Sequence, residues 1–338
     1  KTVIRYHIFG YDSILLKLTD GKSDCEKLQH IPIKASEVPS EMCDYELSEK
    51  NILVLDMAQW KIDDDIDYSP KEEILRLDNL IRERLGIDKR GGRVVQPWVL
   101  GKQPKDHKAT LKFTFTSEID YDGAVLALED ADVADVIFNG KKITEREDGF
   151  YVDISIGKMK LGNIIKGENI LEITLPFGKT ANLENVFVLG NFGVRVIGAV
   201  AVITELPEKI SFGSLLCQGF PFYSGAVTYK IKTKTENGSL TVTASDYMGA
   251  LVEVSVDGEI KGDIIYPPYT LEIKGIPNGE HEIGLKLYTH RFNSFGPIHL
   301  VDVNEKWLGP DVWRTEGINW SYEYVLRTTG ILKTPGIS

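Results

Sequence analysis

The chain carries one residue pattern twice, and this repeat constrains its fold more than any single residue does. Ala109-Thr-Leu-Lys-Phe-Thr-Phe-Thr116 returns as Gly225-Ala-Val-Thr-Tyr-Lys-Ile-Lys232, with apolar and polar residues in step at period two. Val136-Ile-Phe-Asn-Gly-Lys141 returns as Val254-Ser-Val-Asp-Gly-Glu259, and Gly167-Glu-Asn-Ile-Leu-Glu-Ile-Thr-Leu175 as Gly279-Glu-His-Glu-Ile-Gly-Leu-Lys-Leu287. Three matched blocks in one order predict two tandem copies of one β-domain. Two copies are too few for a solenoid, whose units need at least about three neighbours in a stack. Each copy has about 100–120 residues, enough to bury a core of its own.

Strand signals dominate both copies. Alternating or β-branched runs at 51–57, 111–116, 124–128, 134–138, 150–156, 169–175, 185–189 and 193–203 read as strands of the first. Runs at 226–233, 239–245, 250–256, 269–274, 281–288 and 320–326 read as strands of the second. Asn-Gly and Asp-Gly pairs such as Asn139-Gly140 and Asp257-Gly258 supply the positive φ that a tight hairpin needs. One helix is expected from Pro70 to Leu85, capped by Ser69 and ended by Gly86, with Ile74, Leu77, Ile81 and Leu85 as its apolar stripe.

Composition excludes several function classes. A formal net charge of −11 repels phosphate backbones and anionic membranes, so nucleic acid and membrane are not expected as partners. No apolar run approaches the roughly 20 residues of a membrane span, and no signal peptide is visible. The first residue is Lys rather than Met, which fits a segment of a longer chain. Three cysteines (Cys25, Cys43 and Cys217) form no Cys-x-x-Cys pair, so a cysteine zinc site is not expected, and one Cys25–Cys43 bridge is the open possibility.

Catalytic signatures are missing. There is no Gly-x-Ser-x-Gly elbow, P-loop, dinucleotide-binding glycine fingerprint or His-Glu-x-x-His. Asp63, Asp65 and Asp67 begin like a calcium loop, but Tyr68 stands where Gly is needed and Ile74 where the bidentate Glu belongs. Asp120, Asp122, Asp130 and Asp132 could supply oxygens to a structural calcium ion, and no other cofactor is expected. Fifty carboxylates make a glycosidase pair easy to nominate, yet the two groups must face each other across a sugar, which spacing alone does not show.

Two aromatic clusters stand out. One is Phe220-Pro-Phe-Tyr-Ser-Gly225; the other runs from His290 through Trp307 and Trp313 to Trp320. Sugars offer apolar C–H faces ringed by hydroxyls, so aromatic rings beside Arg, Asn, His and Asp suit them. The candidate carbohydrate-binding residues are therefore Phe222, Tyr223, His290, Arg291, Asn293, Phe295, His299, Trp307, Asp311 and Trp313. The competing reading is that these rings pack a joint between the two copies, and no residue is nominated as catalytic or metal-ligating.

The pattern Val-x-Phe-Asn-Gly-Lys-x-Ile…Lys-Gly-Glu-Asn-x-Leu-x-Ile over 136–173 resembles the galactose-binding-like sugar-binding domain of glycoside hydrolase family 2. The blocks Leu189-Gly-Asn-Phe-Gly-Val194, Gln218-Gly-Phe-Pro-Phe-Tyr-Ser-Gly225 and Asn293-Ser-Phe-Gly-Pro-Ile-His299 resemble C-terminal portions of large bacterial glycoside hydrolases, some similar to α-L-rhamnosidases. The resemblance implies an all-β chain of two tandem galactose-binding-like jelly-roll β-sandwiches with a short N-terminal β segment and one capping helix. Residues 1–45 would be the tail of a preceding β domain, 46–206 the first jelly roll with helix 70–85 inserted, and 207–338 the second. The implied role is a non-catalytic carbohydrate-binding or accessory region whose catalytic domain lies upstream. In the second copy Asp257 and His281 replace the usual Asn at two turns. A structural spacer and a self-sufficient glycan hydrolase are the alternatives. An exposed aromatic platform would favour sugar binding, and two carboxylates convergent in a cleft would favour hydrolysis.

Overall fold

A computed structural model describes residues 15–17, 20–21, 42–90, 101, 103–302 and 317–338. The chain begins its regular structure with β1 (Asp44–Leu47), β2 (Asn51–Leu55), β3 (Met57–Ile62), β4 (Ser69–Glu73) and helix α1 (Ile74–Leu85). There follow β5 (His107–Ser117), β6 (Tyr121–Glu129), β7 (Asp135–Phe138), β8 (Lys141–Ile143), β9 (Arg146–Tyr151) and β10 (Asp153–Ile164). β11 (Gly167–Phe177), β12 (Val186–Gly190), β13 (Gly193–Ile197) and β14 (Val200–Thr204) complete the first half. The second half has β15 (Ala226–Thr235), β16 (Ser239–Thr243), β17 (Tyr247–Met248), β18 (Leu251–Val256), β19 (Glu259–Ile264), β20 (Thr270–Lys274) and β21 (Gly279–Tyr288). A short helix α2 (Phe292–Phe295) precedes β22 (Gly330–Ile331) and β23 (Gly336–Ile337). The all-β expectation stands.

Two sandwiches result. In the first, a sheet of order β2-β12-β6-β10-β9 packs on a sheet of order β13-β14-β5-β11-β7-β8, to which β3 and β4 add beside β5. In the second, a sheet of order β1-β15-β21-β18-β19 packs on β20-β16-β23 and the β17–β22 pair. Alternation along β5 buries Ala109, Leu111, Phe113 and Phe115, and along β15 Val227, Tyr229 and Ile231. Period-two patterning therefore decides which face each strand gives to its core.

The repeat is real at the level of topology. β5-β11-β7-β8 corresponds to β15-β21-β18-β19, and β12-β6-β10 corresponds to β23-β16-β20. Gly167 lies opposite Ser117 as Gly279 lies opposite Thr235. The turns at Asn139-Gly140 and Asp257-Gly258 each hold two successive residues at positive φ (47° and 75°; 51° and 82°). Glycine takes the second position without strain.

The turn chemistry is also repeated, with one exchange of groups. The Ile170 N–H donates to Asn139 Oδ1 at 2.9 Å, and the Glu282 N–H donates to Asp257 Oδ1 at 2.9 Å. Asn139 Nδ2 donates to Asn169 Oδ1 at 2.9 Å, where Asp257 Oδ2 faces His281 Nδ1 at 2.6 Å. Asn169 Nδ2 reaches Ile165 O at 2.7 Å, and His281 Nε2 reaches Pro277 O at 2.8 Å. An amide pair in the first copy is an ion pair in the second.

Several expected boundaries move. Helix α1 starts at Ile74, because Ser69–Glu73 pairs with β3 as an edge strand. Its cap is Glu73, whose carboxylate accepts the Leu75 and Arg76 N–H groups at 3.0 Å, in place of Ser69. Pro70 is tolerated there because an edge strand leaves one side without ladder bonds. Gly86 closes the helix at φ 67°, as expected. The run 193–203 is two strands joined at Gly198, and 320–326 forms no strand. The expected boundary at residue 46 falls inside β1, which pairs with β15 of the second sandwich. Phe295, Ile298, Tyr324 and Leu326, placed by sequence in the second jelly roll, belong to or pack on the core of the first.

The exchanged turn predicts a pH dependence confined to the second copy. Bonding to His281 and to the Glu282 N–H holds the Asp257 carboxyl below its ordinary value of 3.8. Bonding to Asp257 and to the Pro277 carbonyl raises the His281 imidazole above its ordinary 6.5. The stabilisation is thus complete between those ordinary values. It is lost as pH rises through the raised His281 value, and as pH falls through the lowered Asp257 value. Thermal unfolding of wild type minus the D257N/H281N double variant, which restores the first copy's amide pair, should peak in that window. A difference that is flat with pH would refute this.

Candidate functional site

The two aromatic clusters meet, and they meet at the joint between the sandwiches. Phe222 is fully buried in the first core, edge-on to Tyr324 at 5.2 Å, while Phe220 and Tyr223 are buried in the second core. Alternate residues of one short segment thus enter two different cores. Tyr223 Oη donates to Ala226 O at 3.0 Å and accepts the Ser48 N–H at 3.1 Å, so its polar end is held as well.

The segment after β21 continues the joint. Arg291 makes a two-pronged pair with Glu49 (2.8 and 3.1 Å) and reaches Ser224 Oγ at 3.2 Å. Asn293, with no exposed surface, donates to Pro221 O and Arg327 O and accepts the Arg327 N–H. Phe295 packs on Phe187 at 5.0 Å and Tyr151 at 5.8 Å. His290 Nε2 bonds Thr328 O at 3.3 Å, and its ring stands edge-on to Phe292. Of the expected sugar-binding residues, Phe222, Tyr223, Asn293 and His299 are therefore sealed, because joining two cores requires their surfaces. Arg291 is exposed and His290 half-buried. Trp307, Asp311 and Trp313 lie outside the described residues.

His299 is the centre of the arrangement. Its Nε2 lies 2.7 Å from Asp56 Oδ2 and its Nδ1 lies 2.8 Å from Ser321 O. Its ring lies 5.3 Å from that of Trp320 and 5.2 Å from that of Tyr324. Tyr324 Oη donates to Asp56 Oδ1 at 2.7 Å. Asp56 is 1% exposed and His299 6%. Burial works against a charged His299, but the Asp56 bond outweighs it and raises the imidazole above its ordinary 6.5. Close by, burial pushes Glu73 up to about 7, although two backbone N–H groups at the start of α1 pull it down. Arg76 stacks on Trp320 at 4.3 Å and pairs with Glu72, which also accepts the Tyr322 hydroxyl.

Asp56 and Glu73 both line one small cavity, with Asn185, His299 and Trp320 among its other walls. Two convergent carboxylates are what hydrolysis needs, but the cavity measures about 20 Å³. That holds roughly one water molecule and no sugar ring. Both Asp56 oxygens are bonded to side chains and both Glu73 oxygens to backbone. The group's chemistry is that of a fastening.

Four aspartates of the two acidic sets make bonds of their own. Asp63 is held by His107 and the Lys108 N–H, and Asp65 by Arg84. Asp120 accepts the Lys166 N–H, and Asp130 pairs with Lys105. Among the described residues no group of three His, Cys, Asp or Glu side chains is placed to hold a metal. Cys43 is buried with a free thiol, and Cys25 lies outside the described residues.

Sequence reasoning found His299 but missed Asp56, Glu73 and Tyr324. One signal was present. Asp56 interrupts the apolar run Ile52-Leu-Val-Leu-Asp-Met-Ala58, and an acid inside a buried strand run demands a partner. Removing that acid leaves His299 and the Tyr324 hydroxyl buried without it. Asp56→Ala should cost about 3–5 kcal/mol in urea unfolding, as for other broken buried pairs. A cost under about 1 kcal/mol, the range of an exposed pair, would show the cluster to be incidental.

No protein-family model matches the chain, and no curated protein does. Among solved structures it is similar to a β-D-mannosidase from Dictyoglomus thermophilum, at 14% identity and TM-score 0.28, over 71% of this chain and 31% of that one. A rhamnosidase from Novosphingobium sp. PP1Y is similar at 16% identity and TM-score 0.29, over 70% of this chain and 23% of that one. A GH2 β-galacturonidase from Eisenbergiella tayi is similar at 9% identity and TM-score 0.26, over 71% and 36%. This chain therefore spans between about a quarter and just over a third of those proteins. At these TM-scores the likeness carries no functional argument.

Proposed function

We propose that this chain is a non-catalytic accessory β-sandwich region of a glycoside hydrolase. Its two jelly rolls act as one rigid block beside a catalytic domain located elsewhere in the protein. The observation that carries this reading is the division of Phe220-Pro-Phe-Tyr223 between two cores. Aromatic rings that a sugar platform would expose are committed to fastening one sandwich to the other. The association with a glycoside hydrolase is supported by the motif over 136–173, whose Asn139, in the β7–β8 turn, bonds Asn169 near the start of β11. Carbohydrate is the proposed partner class. Its contact falls to the exposed rim of the joint, where Arg291 stands, and not to the faces of Phe222, Tyr223 or His299.

Two measurements test this. A panel of aryl-glycosides should show no turnover by the chain alone. Hydrolysis that persists through repurification and disappears in Asp56→Asn would overturn the accessory reading. Calorimetry should show the sandwiches melting in one cooperative transition. Phe222→Ala should cost about 3–5 kcal/mol, the range for emptying a buried aromatic site, and should split the transition in two. Two independent transitions in the wild-type chain would contradict a rigid block.

A further inference from the structure

We propose that the joint is a proton-operated latch: the described stretches around His299 (residues 296–302) and Tyr324 (residues 317–325) stay seated on the first sandwich only while one proton is held between Asp56 and His299. The geometry requires that proton. Asp56 Oδ2 and His299 Nε2 are 2.7 Å apart, and the other ring nitrogen faces a carbonyl, Ser321 O, at 2.8 Å. A carbonyl only accepts, so Nδ1 carries its own hydrogen. One more hydrogen must then lie between Nε2 and the carboxylate, whichever atom holds it. Without it, two lone pairs face each other between two buried side chains.

The surroundings offer little to replace that hydrogen. The turn between β2 and β3 contributes Asp56 itself. The end of β4 contributes Glu73, a second carboxylate, whose two oxygens are held by the Leu75 and Arg76 N–H groups. The start of α1 contributes Arg76, which is turned toward Glu72 and the Trp320 ring. The segment contributes Trp320, the Ser321 carbonyl and the Tyr324 hydroxyl, and Tyr324 is already donating to Asp56 Oδ1. Lys71, on β4, lines a neighbouring cavity with Asp56 and Tyr324 but makes no bond to Asp56, whose two oxygens go to His299 and Tyr324, and an ionised Glu73 favours keeping the proton. The segment's own backbone is tied to this spot: the Ser321 N–H bonds His299 O at 3.0 Å, the Val325 N–H bonds Ile298 O at 2.7 Å, and the Tyr324 N–H bonds Gly198 O at 3.1 Å.

Opening the latch returns both groups to water, where an imidazole loses its proton near about pH 6.5. Above that pH the seated form holds one proton more than the open form. The open-to-seated ratio must then rise about tenfold per pH unit, until the seated pair itself titrates. Glu73 acts in the same direction. Its raised value means that the seated form also holds more protons between about 4.5 and about 7. The two sandwiches are accordingly held most firmly in a mildly acidic medium.

Amide hydrogen exchange on the full chain, corrected for the intrinsic rate, tests this at Ser321, Tyr324 and Val325. Their opening constants should rise about tenfold per unit above about pH 7, until the seated pair itself titrates. Amides of the β5–β11 ladder should not change. His299→Gln can still donate to Asp56 but carries no titrating proton, so its opening should not vary with pH. Tyr324→Phe should open more at every pH while keeping the wild-type slope, and it remains informative if His299→Gln does not fold. A wild-type opening constant that is flat with pH overturns the latch, and so does a His299→Gln slope equal to that of the wild type.

Discussion

The buried contact between Asp56 and His299 joins residues 243 positions apart in the chain, and the arrangement of the whole molecule depends on it. Asp56 sits where β2 turns into β3, so its position is fixed by the first sandwich. His299 sits on a segment that has just left the second. A charge-assisted bond between two buried groups is strong while paired and costly when broken, so it selects one seating for that segment. The rings of Trp320 and Tyr324 pack on His299, and Phe222 on Tyr324, which adds dispersion contact.

From this follows an organisation that tandem copying alone does not produce. The chain gives β1 to the second sandwich before it builds the first. It later returns from β21 to cover the first before closing the second with β22 and β23. β2 and β12 are buried on both faces as a result, and their runs Asn51-Ile-Leu-Val-Leu55 and Val186-Phe-Val-Leu-Gly190 lack the polar alternation of β5 or β11. A strand covered on one side reads as alternating, and a strand covered on both reads as continuously apolar. The same departure continues in the next strand, β6, over Ala124-Val-Leu-Ala-Leu128, so the doubly covered part of this sheet spans three neighbouring strands.

The internal comparison separates fold from chemistry. Asn139 with Asn169, and Asp257 with His281, occupy the same places and make three corresponding bonds, the one between the side chains running in opposite directions in the two copies. The turn needs a group that accepts from the strand, a bond across to its partner in either direction, and a donor from that partner back to the backbone. Two amides satisfy that need, and so does a carboxylate with an imidazole. The fold is indifferent to the exchange, whereas its response to pH is not.

Much of the fold was legible in the sequence, because period-two alternation, turn pairs and the repeat are local or nearly so. Gly140 and Gly258, Gly167 and Gly279, and the Gly86 helix end could all be placed from residues within a few positions of each. The helix start was misread because Ser69-Pro70 offers a good local cap, and only the pairing of Ser69–Glu73 with β3 made those residues a strand. The candidate site was half legible. His299, Arg291, Asn293 and the Phe220–Tyr223 aromatics were identifiable as unusual residues in segments with weak strand character, but whether they face a ligand or a second core is decided at long range. Burial depends on what the rest of the chain brings to the other side, and Asp56 lies too far away in sequence for any local pattern to pair it with His299. The sequence by itself determined two β-sandwich copies, their turns and their inward faces; only the tertiary structure decided that the aromatic clusters hold those copies together.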